Sequence, residues 1–252
     1  VEEALQSLGQ GFLSAPDNQT LRDRLADGSL TPQAYFQQLL RLVYRLIFLL
    51  TIEERGLLHA DGSDPDAIEL YRSGYSLQRL RERSRRRRAF DRHHDLWNSL
   101  KPVFSGLAHG QPVLALPALG GLFADDQCAD LDAGELGNAA LLAAALKLGW
   151  MRSDGALVRI NWRDMGPEEF GSVYESLLEL VPEISGDGRR FGFANAEQSR
   201  GNARKTSGSY YTPDSLVQEL LDSALEPVIA QRLAAADDQK DALLSITVFD
   251  PA

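Results

Sequence analysis

Apolar residues recur at helical spacing through most of the first 150 positions, and the breaks between runs mark the elements. Residues 2–13 and 18–26 predict two short helices parted by the breaker run Ser14-Ala15-Pro16-Asp17. Thr31-Pro32 predicts the start of a third, with a hydroxyl N-cap and a proline at the first helical position, where its missing N–H costs nothing. From there Tyr35, Phe36, Leu39, Leu40, Leu42, Val43, Leu46, Ile47, Leu49 and Leu50 spread around most of the circumference, up to a stop at Gly56. A helix with so little polar face predicts the centre of a helical bundle rather than a docking surface. Glu53, Glu54 and Arg55 end it. Adjacent helical residues point about 100° apart, so the two carboxylates are expected to form a solvated or capping cluster and not an acid/base pair.

Ser63-Asp64-Pro65 predicts another start with Gly74 as its stop, and Ser76 opens a helix that runs into Arg79, Arg81, Arg83 and Arg85 to Arg88. Leu96, Trp97, Leu100, Val103, Phe104 and Leu107 mark an amphipathic helix, with Pro102 as a kink and Gly110 as the stop. Gly120-Gly121 predicts a tight turn that buries Leu122 and Phe123. Asp132 with Glu135 fits a capping box for the Ala- and Leu-rich helix that follows to about Leu148.

The pattern changes after Gly149. Residues 150–152 and 156–160 flank Ser153-Asp154-Gly155 as a hairpin, and 182–184 and 190–194 bracket Ser185-Gly186-Asp187-Gly188 as a second, read as a linker-like sheet element. Between them Phe170, Val173, Tyr174, Leu177, Leu178 and Leu180 form one helical stripe. A last helix is expected from Thr212-Pro213 through Leu216, Val217, Leu220, Leu221 and Leu225 to a break near Pro227, and residues 243–249 read as a buried strand. The expected fold is mainly α with small β-hairpin elements: a helical bundle over residues 1–165, then a lead-in over 166–252.

The 252 residues with 44% apolar content can fill a proper core, and the net charge is −10. That sum hides two basic windows. Residues 72–92 hold nine arginines against Glu82 and Asp91, a local +7, and residues 189–205 reach +4, which leaves −21 for the rest. Four consecutive arginines cannot share one helix face, so Arg85, Arg86, Arg87 and Arg88 are expected at a frayed end or in a loop, as a solvated connector or as a non-specific phosphate contact. No aromatic interleaves with them in sequence. Cys128 is the single cysteine, which fits a reducing compartment and excludes an internal disulfide. His59, His93, His94 and His109 lack the i, i+4 pairing of a metal site, and the acids at 125–135 lack the glycine of a calcium loop. No leader pattern follows Val1, and the apolar run of residues 46–50 is far short of the roughly 18 uncharged residues of a membrane span, so a cytoplasmic location is expected. A nuclease centre is not expected: Glu-x-Lys is absent, and the one Asp-x-Lys, Asp238-Gln239-Lys240, lies in a polar turn.

The stretch with most chemistry is Arg204-Lys205-Thr206-Ser207-Gly208-Ser209-Tyr210-Tyr211-Thr212-Pro213, followed downstream by Ile246-Thr247-Val248-Phe249-Asp250-Pro251-Ala252. Gly208 lets backbone pass close to a ligand, Tyr210 and Tyr211 offer flat faces and hydroxyls, and a capped helix N-terminus suits a carboxylate. Ligands of open α/β sheets bind at the strand edge that Asp250 would occupy. Together the two motifs resemble the entry to the cofactor half of adenine-specific DNA methyltransferases of the restriction-modification (type IIG) and phage-defence kind. Phe170-Gly171-Ser172-Val173-Tyr174-Glu175-Ser176-Leu177-Leu178-Glu179, residues 42–58 and the Gly120–Phe123 turn are similar to the segments that precede that half, so the resemblance covers most of residues 30–252.

The resemblance implies a helical spacer leading into the first helix and strand of a Rossmann-like methyltransferase domain. It implies S-adenosyl-L-methionine as cofactor, bound by Tyr210, Tyr211, Thr212, Pro213, Asp250, Pro251 and Ala252. Double-stranded DNA is the implied partner, near Arg85 to Arg88, Arg204 and Lys205, with nuclease or translocase subunits as further partners. The rest of the cofactor motif and the motif that handles the flipped adenine are not in these residues, so 1–252 by themselves are expected to be inactive and to carry no catalytic residue. Two other readings stand beside it: a helical interaction or DNA-positioning module without catalysis, and an unrelated nucleotide-binding α/β enzyme.

Overall fold

The computed structural model describes residues 1–153, 155–178, 180–194, 212, 214–235, 238–247 and 249. Among them the chain is mainly helical, with two small antiparallel sheets. It divides into two compact units, Val1–Met165 with Ser176–Ser207, and Gly166–Glu175 with Gly208–Ala252.

In the first unit α1 (Glu2–Ser14) and α2 (Gln19–Ala26) precede α3 (Pro32–Arg55), the central helix. Thr31 Oγ1 accepts the Ala34 N–H at 3.1 Å, and Gly56, at φ 68°, closes the far end in the left-handed conformation that glycine takes without strain. Tyr35, Leu39, Leu42, Val43 and Leu49 are wholly buried, as the encircling apolar pattern demands. By length and composition alone α3 could cross a membrane, but 67% of its most apolar window is buried inside the protein, as in a core helix. Around it lie α4 (Pro65–Leu70), which runs into one π-turn (Tyr71–Tyr75), then α5 (Leu77–Arg83), α6 (Asp95–His109), α7 (Ala129–Ala133) and α8 (Asn138–Gly149).

Buried polar side chains lock these helices together. Tyr35 donates to the Gly9 carbonyl at 2.8 Å, tying α3 to α1. Asn18 donates to Phe12 and Glu135 carbonyls at 2.8 and 2.7 Å and accepts from the Glu135 N–H at 2.8 Å. Asn138 accepts the Leu96 N–H and donates to Asp91 and Asp95, which holds the start of α8 against the start of α6. A buried amide left unpaired would cost about 1–3 kcal/mol, so these contacts specify the packing as well as permit it.

The capping box expected from Asp132 and Glu135 does not form. A short α7 intervenes, Gly137 stands at the N-cap of α8, and Asp132 instead receives two bonds from buried Arg45, at 3.0 and 2.9 Å. Arg45 also donates to the Leu122 and Ala124 carbonyls and lies over the Phe104 and Phe123 rings, so it clamps the Gly120-Gly121 turn to α3. Phe123 is buried as expected and Leu122 is half-buried.

The hairpin β1 (Trp150–Ser153) and β2 (Ala156–Arg159) forms where expected, pairing Trp150 with Arg159. Asp154 of its turn lies outside the described residues. The second hairpin, β3 (Pro182–Ile184) with β4 (Phe191–Phe193), follows the helix α9 (Pro167–Leu178) and is not a linker. Phe191 of β4 is 5% exposed, meets the Tyr35 ring edge-on at 5.7 Å, and lies so close over Gly9 of α1 that a Cβ there would stand 2.4 Å from the ring. Its core role depends on a glycine 182 positions earlier.

In the second unit a helix, Asp214–Leu220, continues through a π-turn, Leu221–Leu225, into Glu226–Ala234. Pro227 does not break this path, because it falls in the first turn of the later helix, where its N–H is not needed. The strand expected over residues 243–249 is also corrected. Asp238 accepts the Lys240 and Asp241 N–H groups and starts a helix, Gln239–Leu244, while Leu244 and Phe249 are 74% and 84% exposed. A local cap outweighs an apolar run that has no described strand to pair with.

Candidate functional site

Of the cofactor-binding residues expected from sequence, the described one is Thr212, which is exposed and lies just ahead of the helix Asp214–Leu220. Tyr210, Tyr211, Pro213, Asp250, Pro251, Ala252 and the basic pair Arg204 and Lys205 lie outside the described residues. The site with geometry is therefore the arginine run.

Its position is set by a buried joint at the end of α3. Glu54, 4% exposed, pairs with Arg81 of α5 and with Arg159 of β2, the latter at 2.7 Å. Burial pushes its carboxyl up, but hydrogen bonds from Arg159 and Arg81 outweigh that and hold it below the ordinary value. Glu53, its neighbour, serves a different element. It accepts the Tyr71 hydroxyl at 2.6 Å and the Leu77 and Gln78 N–H groups at 2.7 and 2.9 Å, and so caps the N-terminus of α5. Burial raises its carboxyl above the ordinary range despite those bonds. The pair diverges, as helical spacing requires, yet Glu54 is a buried ion-pair hub and not part of a solvated cluster.

Arg81 carries the joint forward. Its side chain fills the space beside Gly149, where a Cβ would stand 2.4 Å away, and its carbonyl accepts the Trp150 indole N–H at 3.3 Å. Trp150 in turn lies under Arg85, whose guanidinium sits 4.7 Å from the ring centroid. The aromatic absent from the sequence around the arginines is thus supplied by the hairpin, 65 positions on. The run itself follows bonded turns rather than a frayed end: Ser84 is buried and donates to the Arg81 carbonyl, Arg86 N–H bonds Arg83, and Arg87–Ala89 forms a 3-10 turn.

The side chains frame two open grooves. One, of about 850 Å³, is lined by Arg79, Glu82, Arg83, Arg86, Arg87 and Arg88. The other, of about 880 Å³, runs past Arg85, Arg87, Phe90, Trp150 and Arg152 to the Lys147–Glu3 ion pair. Arg87 borders both. Such an array can hold phosphates but holds no described nucleophile or acid/base pair.

Other titratable groups are structural. Cys128 is buried, its thiol donates to the Gln38 carbonyl, and burial pushes it up to about 12, far from a reactive thiolate. His59 meets the Ala115 carbonyl and the Tyr71 ring, while His93, His94 and His109 each face one carboxylate. Among the described residues, no group of three His, Cys, Asp or Glu could hold a metal ion. A cavity of about 350 Å³ beside Glu53, His59, Asp61, Tyr71 and Arg72 is the strongest alternative, but its buried carboxylate, Glu53, is already spent on the α5 cap. No family model, curated protein or solved structure matches the chain.

Proposed function

We propose that the chain is the N-terminal part of an adenine-specific DNA methyltransferase, which transfers a methyl group from S-adenosyl-L-methionine to the exocyclic amino group of adenine, in restriction-modification or phage defence. The observation that carries this is the order of two motifs, Tyr210-Tyr211-Thr212-Pro213 and then Asp250-Pro251-Ala252. The helix Asp214–Leu220, starting directly after Thr212-Pro213, supports it, because a helix N-terminus there is what a methionine carboxylate would meet. On this reading the residues from 166 lead into a Rossmann-like domain, and the helical body of 1–165 is a spacer that positions double-stranded DNA for base flipping in the cytoplasm. The self-contained polar joints of that body favour a second reading, a DNA-positioning or protein-docking module with no catalysis of its own.

Calorimetric titration of S-adenosyl-L-methionine tests the first reading. Residues 1–252 are expected to bind it poorly, since the family's pocket draws on residues after the Asp-Pro-Ala motif. The protein carrying those residues is expected to bind it, and failure to do so would sink the proposal. A partner pulled down by the full chain and lost when residues 1–165 are removed would favour the second reading.

A further inference from the structure

We infer that Arg83, Arg86, Arg87 and Arg88 form a sequence-independent contact for the phosphate backbone of duplex DNA. The inference takes only the identity of the polyanion from the proposed function; the surface is argued from its own residues.

The nine arginines of residues 72–92 are not equivalent. Arg81 is spent on Glu54, Arg72 faces Glu69 at 3.3 Å, Arg79 donates to the Gly74 carbonyl, and Arg85 is shared between Glu82, at 3.6 Å, and the Trp150 ring. Arg83, Arg86, Arg87 and Arg88, which line one groove, and Arg92, which does not line it, have no ion pair among the described residues, although the chain carries 36 carboxylate side chains to supply one. Four like charges around one groove repel one another, and a line of phosphates relieves that repulsion while offering each guanidinium a two-pronged acceptor. The acidic remainder of the surface does not cancel the patch, because its field decays over roughly 10 Å at moderate salt.

Geometry also selects the kind of nucleic-acid contact. Arg85 lies over the Trp150 ring and Phe90 beside it is half-buried, so neither aromatic at the run stands free as a platform for an unstacked base, which argues against single strands. The arginines sit on the last turn of α5 and on a three-residue 3-10 turn, neither of which can lie along a major groove, so backbone contact without base reading follows.

The test is fluorescence anisotropy of a labelled DNA duplex of about 20 base pairs, titrated with the full chain over a series of salt concentrations and without S-adenosyl-L-methionine. One phosphate contact per free arginine predicts a slope of log affinity against log salt near −3.6, roughly a 150-fold loss between 50 and 200 mM. Arg86→Ala/Arg87→Ala/Arg88→Ala is expected to flatten the slope to about −0.9, leaving roughly a fourfold loss over the same range. All three side chains are exposed, so the fold should survive. If the triple variant does not fold, the single Ala variants must each flatten the slope by about 0.9, and the triple Lys variant must retain it. An unchanged slope in the triple Ala variant overturns the inference. So does tighter binding to the single strand than to the duplex, binding to anionic vesicles but not to DNA, or loss of binding only on changing exposed Arg189 and Arg190. Because no cofactor is present, failure of methyl transfer leaves this result standing, and the reverse also holds.

Discussion

Arg45→Met removes the clamp between α3 and the glycine turn while keeping most of the stem's volume. The wild-type guanidinium is fully buried and makes four hydrogen bonds, two to Asp132 at 3.0 and 2.9 Å and one each to the Leu122 and Ala124 carbonyls at 3.0 and 3.3 Å. Breaking a buried pair costs about 3–5 kcal/mol because a charge is left behind. Asp132 is 31% exposed, so water screens what remains and the lower end, about 3 kcal/mol, applies. The two carbonyls add about 1 kcal/mol between them, since the longer bond is weak and a carbonyl keeps a second lone pair for water. The total of about 4 kcal/mol corresponds to a fall in Tm of roughly 8–16 °C for a unit of this size. Trp97, Trp150 and Trp162 all lie in the first unit, so tryptophan fluorescence in urea reports its unfolding. Adding Asp132→Leu should return part of the loss, because the stranded carboxylate goes. A single variant within about 1 kcal/mol of the wild type, or a double variant no better than the single, would refute the clamp.

Three further outcomes follow from contacts elsewhere. Gly9→Ala should destabilise the first unit by about 1–3 kcal/mol, since the new Cβ meets the Phe191 ring, and Phe191→Leu in the same chain should recover part of it; an unaffected urea midpoint contradicts the docking of β4 on α1. Glu54 has a lowered carboxyl, so its ion pairs stabilise the fold above the ordinary value of 4.5 and that share is lost as pH falls through the folded value; Glu54→Gln should lack this acid-side loss in melting curves. Glu53 has the opposite sign: its raised carboxyl favours the fold while protonated, and that share is lost as pH rises from 4.5 through the folded value, so an Asp-like acid-side response from Glu53 in a site-resolved titration would contradict its burial.

Caps and glycine stops made most helix boundaries of the first unit legible. Thr31, Asp64 and Ser76 act locally, through bonds spanning two or three residues, and Gly56 and Gly110 end helices by their own backbone freedom. What escaped the sequence depends on distant partners. Asp132 and Glu135 have the spacing of a capping box, but Arg45, 87 positions away, claims Asp132. Trp150 meets Arg85 only because Glu54 and Arg81 bring hairpin and helix together, and β4 reaches the core only because Gly9 leaves room. The small Gly9 and Gly149 amid apolar neighbours were the available signals for two of these contacts. The apolar run at 243–249 misled because periodicity alone does not distinguish a strand from the last turn of a capped helix.

On the proposed function, Tyr211-Thr212-Pro213 and Asp250-Pro251-Ala252 form one side of an S-adenosyl-L-methionine pocket serving DNA. The most direct test is mass spectrometry of duplex DNA incubated with the cofactor and a protein in which residues 1–252 are extended by the rest of the cofactor motif and the adenine-handling motif that the proposed function requires. Adenine methylated on its exocyclic amine is expected, lost in Asp250→Ala while the Arg86→Ala/Arg87→Ala/Arg88→Ala variant still binds cofactor. DNA left unmethylated by an extended, folded protein that also fails to bind S-adenosyl-L-methionine would contradict it.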